Sequence, residues 1–129
     1  MRQTILIVDD TPDHRDILSR FLHIAGYRVI AASSSSEAIE QVARERPDLI
    51  LAALSLPGHA AWETTRQLLA TIGLDTTPIL GTTVFSTLLT GSRVRAIGCA
   101  GVVEKPFDFD TLLYHIGQLM PPRPLAPTA

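Results

Sequence analysis

Scarcities in this chain set its first limits. Cysteine occurs once, at Cys99, which excludes an intramolecular disulfide and fits a reducing, cytoplasmic setting. Lysine also occurs once, at Lys105; the other cationic side chains are scattered arginines. With a net charge of −2 and no basic stripe, the chain has no electrostatic attraction for nucleic acid or an anionic membrane. No apolar run approaches the ~20 residues of a membrane span, and the N-terminus lacks the succession of a secretory signal. No internal repeat, second domain or nucleophile–base pair is visible, so no independent catalysis is expected. What remains is 129 residues at 46% hydrophobic and 19% charged, the balance of one globular domain with a substantial core.

Five short apolar runs alternate with longer segments of helical period, the pattern of βα units around a parallel sheet. Residues 4–8 form a continuous apolar run, as expected of a strand covered on both faces. A helix follows, with Thr11 as its N-cap, Pro12 at its first position and Gly26 at its stop. Ile17, Phe21, Leu22 and Ala25 recur at helical spacing and predict its buried face. A second strand spans 28–32. Ser34 and Glu37 make a capping box for a helix that buries Ala38, Ile39, Val42 and Ala43, so the serine run 33–36 reads as cap and loop.

Pro47-Asp48 leads into a third strand over 49–53, and a loop with Pro57-Gly58 precedes a helix over 60–71. The fourth strand is expected over 78–82. The helix after it, ending near Ile97, is weakened by Thr87, Thr90, Gly91 and Ser92. The fifth strand is expected over 101–103, and the last helix over 108–120 with Leu112, Leu113, Ile116, Leu119 and Met120 facing the sheet. Cys99, between Gly98 and Ala100, reads as a small core residue. The prolines of 121–129 cannot continue a helix and predict an extended tail or linker.

The fold class expected is α/β, a flavodoxin-like (βα)5 doubly wound parallel sheet of strand order 2-1-3-4-5. Such sheets bind ligands outside the carboxyl ends of their strands, where the order reverses. That rule gathers Asp9, Asp10, Ala53, Thr83 and Lys105 at one edge. An adjacent carboxylate pair suits Mg²⁺, which takes one or two carboxylates plus waters and phosphate oxygens. A hydroxyl at Thr83 and a compact ammonium at Lys105 suit phosphoryl oxygens. Taken singly, each has a plainer reading: a helix cap, a loop threonine, a solvated lysine.

The runs Ile5-Leu6-Ile7-Val8-Asp9-Asp10, Pro47-Asp48-Leu49-Ile50-Leu51, Leu54-Ser55-Leu56-Pro57-Gly58, Thr82-Thr83 and Gly98-Cys99-Ala100-Gly101, with Lys105-Pro106-Phe107, resemble the receiver domain of two-component response regulators. The resemblance covers about residues 3 to 120, and the receiver is assigned to 1–120. It implies that Asp9, Asp10 and the Ser55 backbone correspond to Mg²⁺ ligands. Thr83 corresponds to the switch hydroxyl and Lys105 to the phosphoryl-contacting lysine. It implies a histidine kinase, another signalling protein or an effector domain as partner, with a homodimer as a further option. The interaction face implied is the fourth helix, fifth strand and last helix, with Val102, Tyr114, His115 and Gln118 as candidates.

The chain departs from that pattern at its centre. Ala53 occupies the position of the phosphoacceptor aspartate, and alanine has no nucleophile. The loop reads Pro57-Gly58-His59-Ala60-Ala61 where Pro-x-Met-Asp-Gly is usual. Val84 replaces a small residue, and Val102 an aromatic one. Phosphorylation-independent signalling through protein contacts is therefore the leading expectation, with no cofactor required and weak Mg²⁺ binding at most. One alternative is a phosphorylatable receiver whose aspartate has been exchanged for Ala53; it leaves the other departures without a reason. Another is a metal-binding module in which Asp10, His14 and His59 converge; two surface histidines near a cleft are the plainer reading. Trp62 reads as partial core cover, and His23 as a partner for its helix dipole. Ser55 and Thr82 carry no local mark of a substitute phosphosite.

Overall fold

A computed structural model describes residues 3–53, 77–83, 100–104 and 108–120. Five strands form one all-parallel sheet in the order β2-β1-β3-β4-β5. They are β1 (Thr4–Val8), β2 (Arg28–Ala32), β3 (Leu49–Ala53), β4 (Ile79–Thr83) and β5 (Gly101–Glu104). Among the described residues three helices accompany them: α1 (Pro12–Ile24), α2 (Ser35–Arg44) and α3 (Phe109–Leu119). This is the expected doubly wound order, with β4 shifted and β5 extended by one residue. The helix over 60–71, the segment ending near Ile97 and the tail 121–129 lie outside the described residues.

The sheet is held at its centre by strands that are apolar on both sides. All five residues of β1 are buried, as are the first four of β3. Ile5, Ile7, Leu49, Leu51 and Leu80 join Leu18 and Leu22 of α1, Leu112 and Ile116 of α3, and Met120 in one core cluster. The intervening residues Leu6, Val8, Ile50, Ala52 and Ile79 are equally buried, because successive strand side chains point to opposite faces. Helix α2 packs on β2 and β1 and buries Ala38 and Val42; Ile39 is half-buried and Ala43 exposed. A reciprocal clamp closes the amino end of the central pair. The Asp48 N–H donates to the Thr4 carbonyl at 2.8 Å, while the Thr4 N–H donates to Asp48 Oδ2 at 2.7 Å. It leads into the β1–β3 register, in which Ile5 lies opposite Leu49 and Val8 opposite Ala52.

Helix ends follow local chemistry. Gly26, at φ +104, closes α1. The Tyr27 N–H reaches the Leu22 carbonyl and the Gly26 N–H the His23 carbonyl, which satisfies two orphan acceptors in a Schellman arrangement. Ser34 caps α2 by accepting the Glu37 N–H, and Asp108 caps α3 by accepting the Thr111 N–H. Phe21 and Phe109 stack with centroids 3.9 Å apart, tying α1 to the first turn of α3.

The buried face of α1 is not the one the periodicity suggested. Leu18 and Leu22 meet the core and Phe21 is half-buried, whereas Ala25 is exposed and Ile17 is 53% exposed. A helix turns by about 100° per residue, so a stripe centred on Leu18 and Leu22 carries Ile17 to its outer flank. Leu22→Ala should therefore cost about 2–5 kcal/mol in urea unfolding. Ile17→Ala should stay within about 0.5 kcal/mol of the parent.

Candidate functional site

The carboxyl ends of the strands form the site edge. The registers set Val8 beside Ala32 and Ala52, Ala53 beside Thr82, and Thr83 beside Glu104. One residue beyond Val8, Asp9 continues the ladder by donating its N–H to the Ala32 carbonyl at 3.1 Å. Asp9 is buried, at 4% exposure, and Asp10 beside it is exposed. The two carboxylates of the pair thus differ: one is built into the fold, and the other faces solvent.

Asp9 Oδ1 accepts the Thr11 N–H at 2.9 Å, an Asx turn that starts α1. Thr11 is the N-cap residue as expected, but its own side chain makes no capping bond; the carboxylate two residues earlier satisfies the chain instead. Arg15 Nη1 donates to the Asp9 carbonyl at 2.7 Å. The guanidinium thereby braces the acidic turn from within α1. Nothing in the sequence pattern singles out Arg15, since its partner is a main-chain oxygen six residues back.

The neighbouring β2–α2 turn carries a second polar group. Ser33 Oγ donates to Glu37 Oε2 at 2.7 Å. The Ser33 hydroxyl, then the Ser33 main chain and more weakly the Arg15 charge hold the Glu37 carboxyl below its ordinary 4.5. Glu37 therefore reaches one residue past the cap it was expected to box, to Ser33 rather than to the Ser34 N–H.

At the centre of the edge, β3 ends in the half-buried methyl of Ala53. Thr83 and Val102 belong to β4 and β5, but their side chains lie outside the described residues, as do Ser55, His59, Val84 and Lys105 entirely. Tyr114 and Gln118 are exposed on α3 and His115 is half-buried, its ring edge-on to Tyr114. His14 and His23 are exposed on α1.

One of the expected cation donors is already engaged. Mg²⁺ demands near-octahedral oxygen ligation, yet one Asp9 oxygen already accepts an N–H and Ala53 has no side-chain oxygen. Among the described residues, no three His, Cys, Asp or Glu side chains converge as a metal-binding group. Among the described residues, no helix is long and apolar enough to cross a membrane.

Comparison with known proteins gives this edge its family. The sequence profile of the response regulator receiver domain matches residues 5–117, and the chain belongs to that family. It is 28% identical over 121 residues to the polar-differentiation response regulator DivK of Brucella anthropi, covering 91% of this chain and 98% of DivK. It is 31% identical over 116 residues to the transcriptional regulatory protein YxdJ of Bacillus subtilis, covering 87% of this chain but only 48% of YxdJ. Chemotaxis response regulator CheY4 of Vibrio cholerae superposes with a TM-score of 0.82 at 28% identity, covering 92% of this chain and 99% of CheY4. The chain is accordingly a receiver-type signalling domain of a two-component system.

Acid should weaken the bonds that Asp108 and Glu37 make as carboxylates. Thr111, through its N–H and then its hydroxyl, holds the Asp108 carboxyl below its ordinary 3.8, as Ser33 holds that of Glu37 below 4.5. A lowered folded pKa means that the unfolded chain takes up the proton more readily. Each contribution is therefore complete above the ordinary value and disappears as pH falls through the lowered one. In urea titrations across that acid range, a Glu37→Gln/Asp108→Asn variant should lose stability less steeply than the parent, while the two respond alike to pH changes near neutrality.

Proposed function

We propose that this receiver signals without an aspartyl-phosphate, through contacts with other proteins. The observation that carries the proposal is Ala53, a methyl group at the end of the central strand. It lies where resemblance to the family puts the phosphoacceptor, beside an Asp9 already engaged by Thr11 and Arg15. Two like charges ~4 Å apart repel by about 4 kcal/mol at a surface-like dielectric. A third carboxylate would add such repulsion, and its absence leaves the acidic turn stable without a cation. The contacts fall to the face carrying Val102, Tyr114, His115 and Gln118, offered to a kinase, another signalling protein or an effector domain.

The changes at Ala60, Ala61 and Val84 favour this reading over a phosphorylatable receiver altered at one position, because a single exchange at residue 53 would leave them unaccounted for. Asp10, His14 and His59 as a separate metal site has less support, since Asp10 and His14 are plain exposed side chains.

Mass spectrometry after incubation with acetyl phosphate and Mg²⁺ tests the proposal. The parent and Ala53→Asp should both remain unmodified. Stoichiometric phosphorylation of Ala53→Asp would instead support the altered-receiver reading. A second measurement addresses the cation. The thermal midpoint and the fluorescence of Trp62, the single tryptophan, should be unchanged by millimolar Mg²⁺. A saturable shift at micromolar Mg²⁺ would contradict weak binding. The receiver TrrA of Thermotoga maritima, 26% identical with a TM-score of 0.76, has been solved with Mg²⁺ and beryllium fluoride and offers a positive control.

A further inference from the structure

Helix α1 carries an ordered ridge on the side turned away from the sheet. Ile17 is 53% exposed and Ile24 is 83% exposed, seven residues apart and therefore on one side of the helix. The charges around them are sorted along the axis. Asp13 and Asp16 lie in the amino-terminal half, Arg20 and His23 in the carboxyl-terminal half, and all four are exposed. Asp16 and Arg20 pair within the helix at 3.2 Å, but both side chains are more than half exposed. A pair of that kind contributes little in its own helix and can exchange partners.

A ridge that is acidic at one end and basic at the other complements itself when turned end for end. A two-fold axis crossing the outer side of α1 at the level of Leu18 sets Asp16 against Arg20 of a second copy, and Arg20 against the second Asp16. It also sets Asp13 of the second copy against His23 and beside Ile24, with the two Ile17 side chains flanking the axis. Such reciprocity is what an isologous contact requires, and antiparallel helices oppose their dipoles favourably.

We propose that α1 is a self-association surface, pairing antiparallel with α1 of a second copy to form a reversible dimer. The surface is separate from the α3 face carrying Tyr114 and Gln118, and its use does not depend on the chemistry at Ala53. A single pair of helices about 20 Å long buries less than the ~1,200 Å² of a standard interface, so the dimer is transient.

Sedimentation equilibrium from about 10 µM to about 1 mM tests this directly. The parent should show a monomer–dimer equilibrium that weakens as salt is raised. D16R and R20D place like charges in opposition and should each associate at least tenfold more weakly. An equimolar mixture of the two should recover association, because D16R presents two positive charges to the two negative charges of R20D. I24E should be monomeric with an unchanged far-ultraviolet circular dichroism spectrum and melting curve. A parent that stays monomeric throughout overturns the proposal and leaves the ridge to a different protein's helix. Dimers indifferent to all these substitutions, or a mixture no tighter than its components, overturn it as well.

Discussion

Everything at the site edge depends on the paired ladder of β1 and β3. These are inner strands of an all-parallel sheet, apolar on both sides, so their main-chain groups must find partners in neighbouring strands. A slip of one residue would turn each strand's side chains to the opposite face. The Asp48–Thr4 clamp stands at one end of the ladder. At the other end the same register brings Asp9 and Ala53 together. The site is thus a consequence of the core, and its chemistry is whatever residues occupy the first positions beyond it.

In this chain those positions are turned toward structure. Asp9 starts a helix, and Arg15 reaches back to the Asp9 carbonyl. Glu37 is engaged by Ser33 on the adjoining turn. Charge-assisted bonds of this kind are stronger than neutral ones, and together they stabilise an acidic edge that has no carboxylate at its centre. The proposed loss of phosphotransfer and the persistence of the receiver fold are therefore compatible. Ala53 lies at the end of β3, whose preceding four residues carry the packing.

The surfaces of α1 and α3 differ in character. On α3, Tyr114 and His115 offer aromatic and polar contacts beside a helix firmly seated through Leu112 and Ile116. On α1, exposed isoleucines alternate with charges sorted by sign along the axis. The Phe21–Phe109 stack joins the two helices, so neither surface moves independently of the shared core. Family membership defines the class of signalling protein.

Sequence by itself determined the five strands, their ends and the described helices, because each has a local cause. Runs apolar at every position mark covered strands, and Pro12, Gly26 and Ser34 punctuate helices through conformations and caps that involve only near neighbours. The strand-end positions of Asp9, Asp10 and Ala53 were legible for the same reason. Tertiary structure decided which flank of α1 met the core, since Ile17 and Leu18 are equally apolar and only packing chooses between them. It also decided that Arg15 serves the Asp9 carbonyl and that Asp48 clamps Thr4. Those bonds join a side chain to a main-chain atom whose position exists only once the chain has folded. No spacing of residue types encodes them.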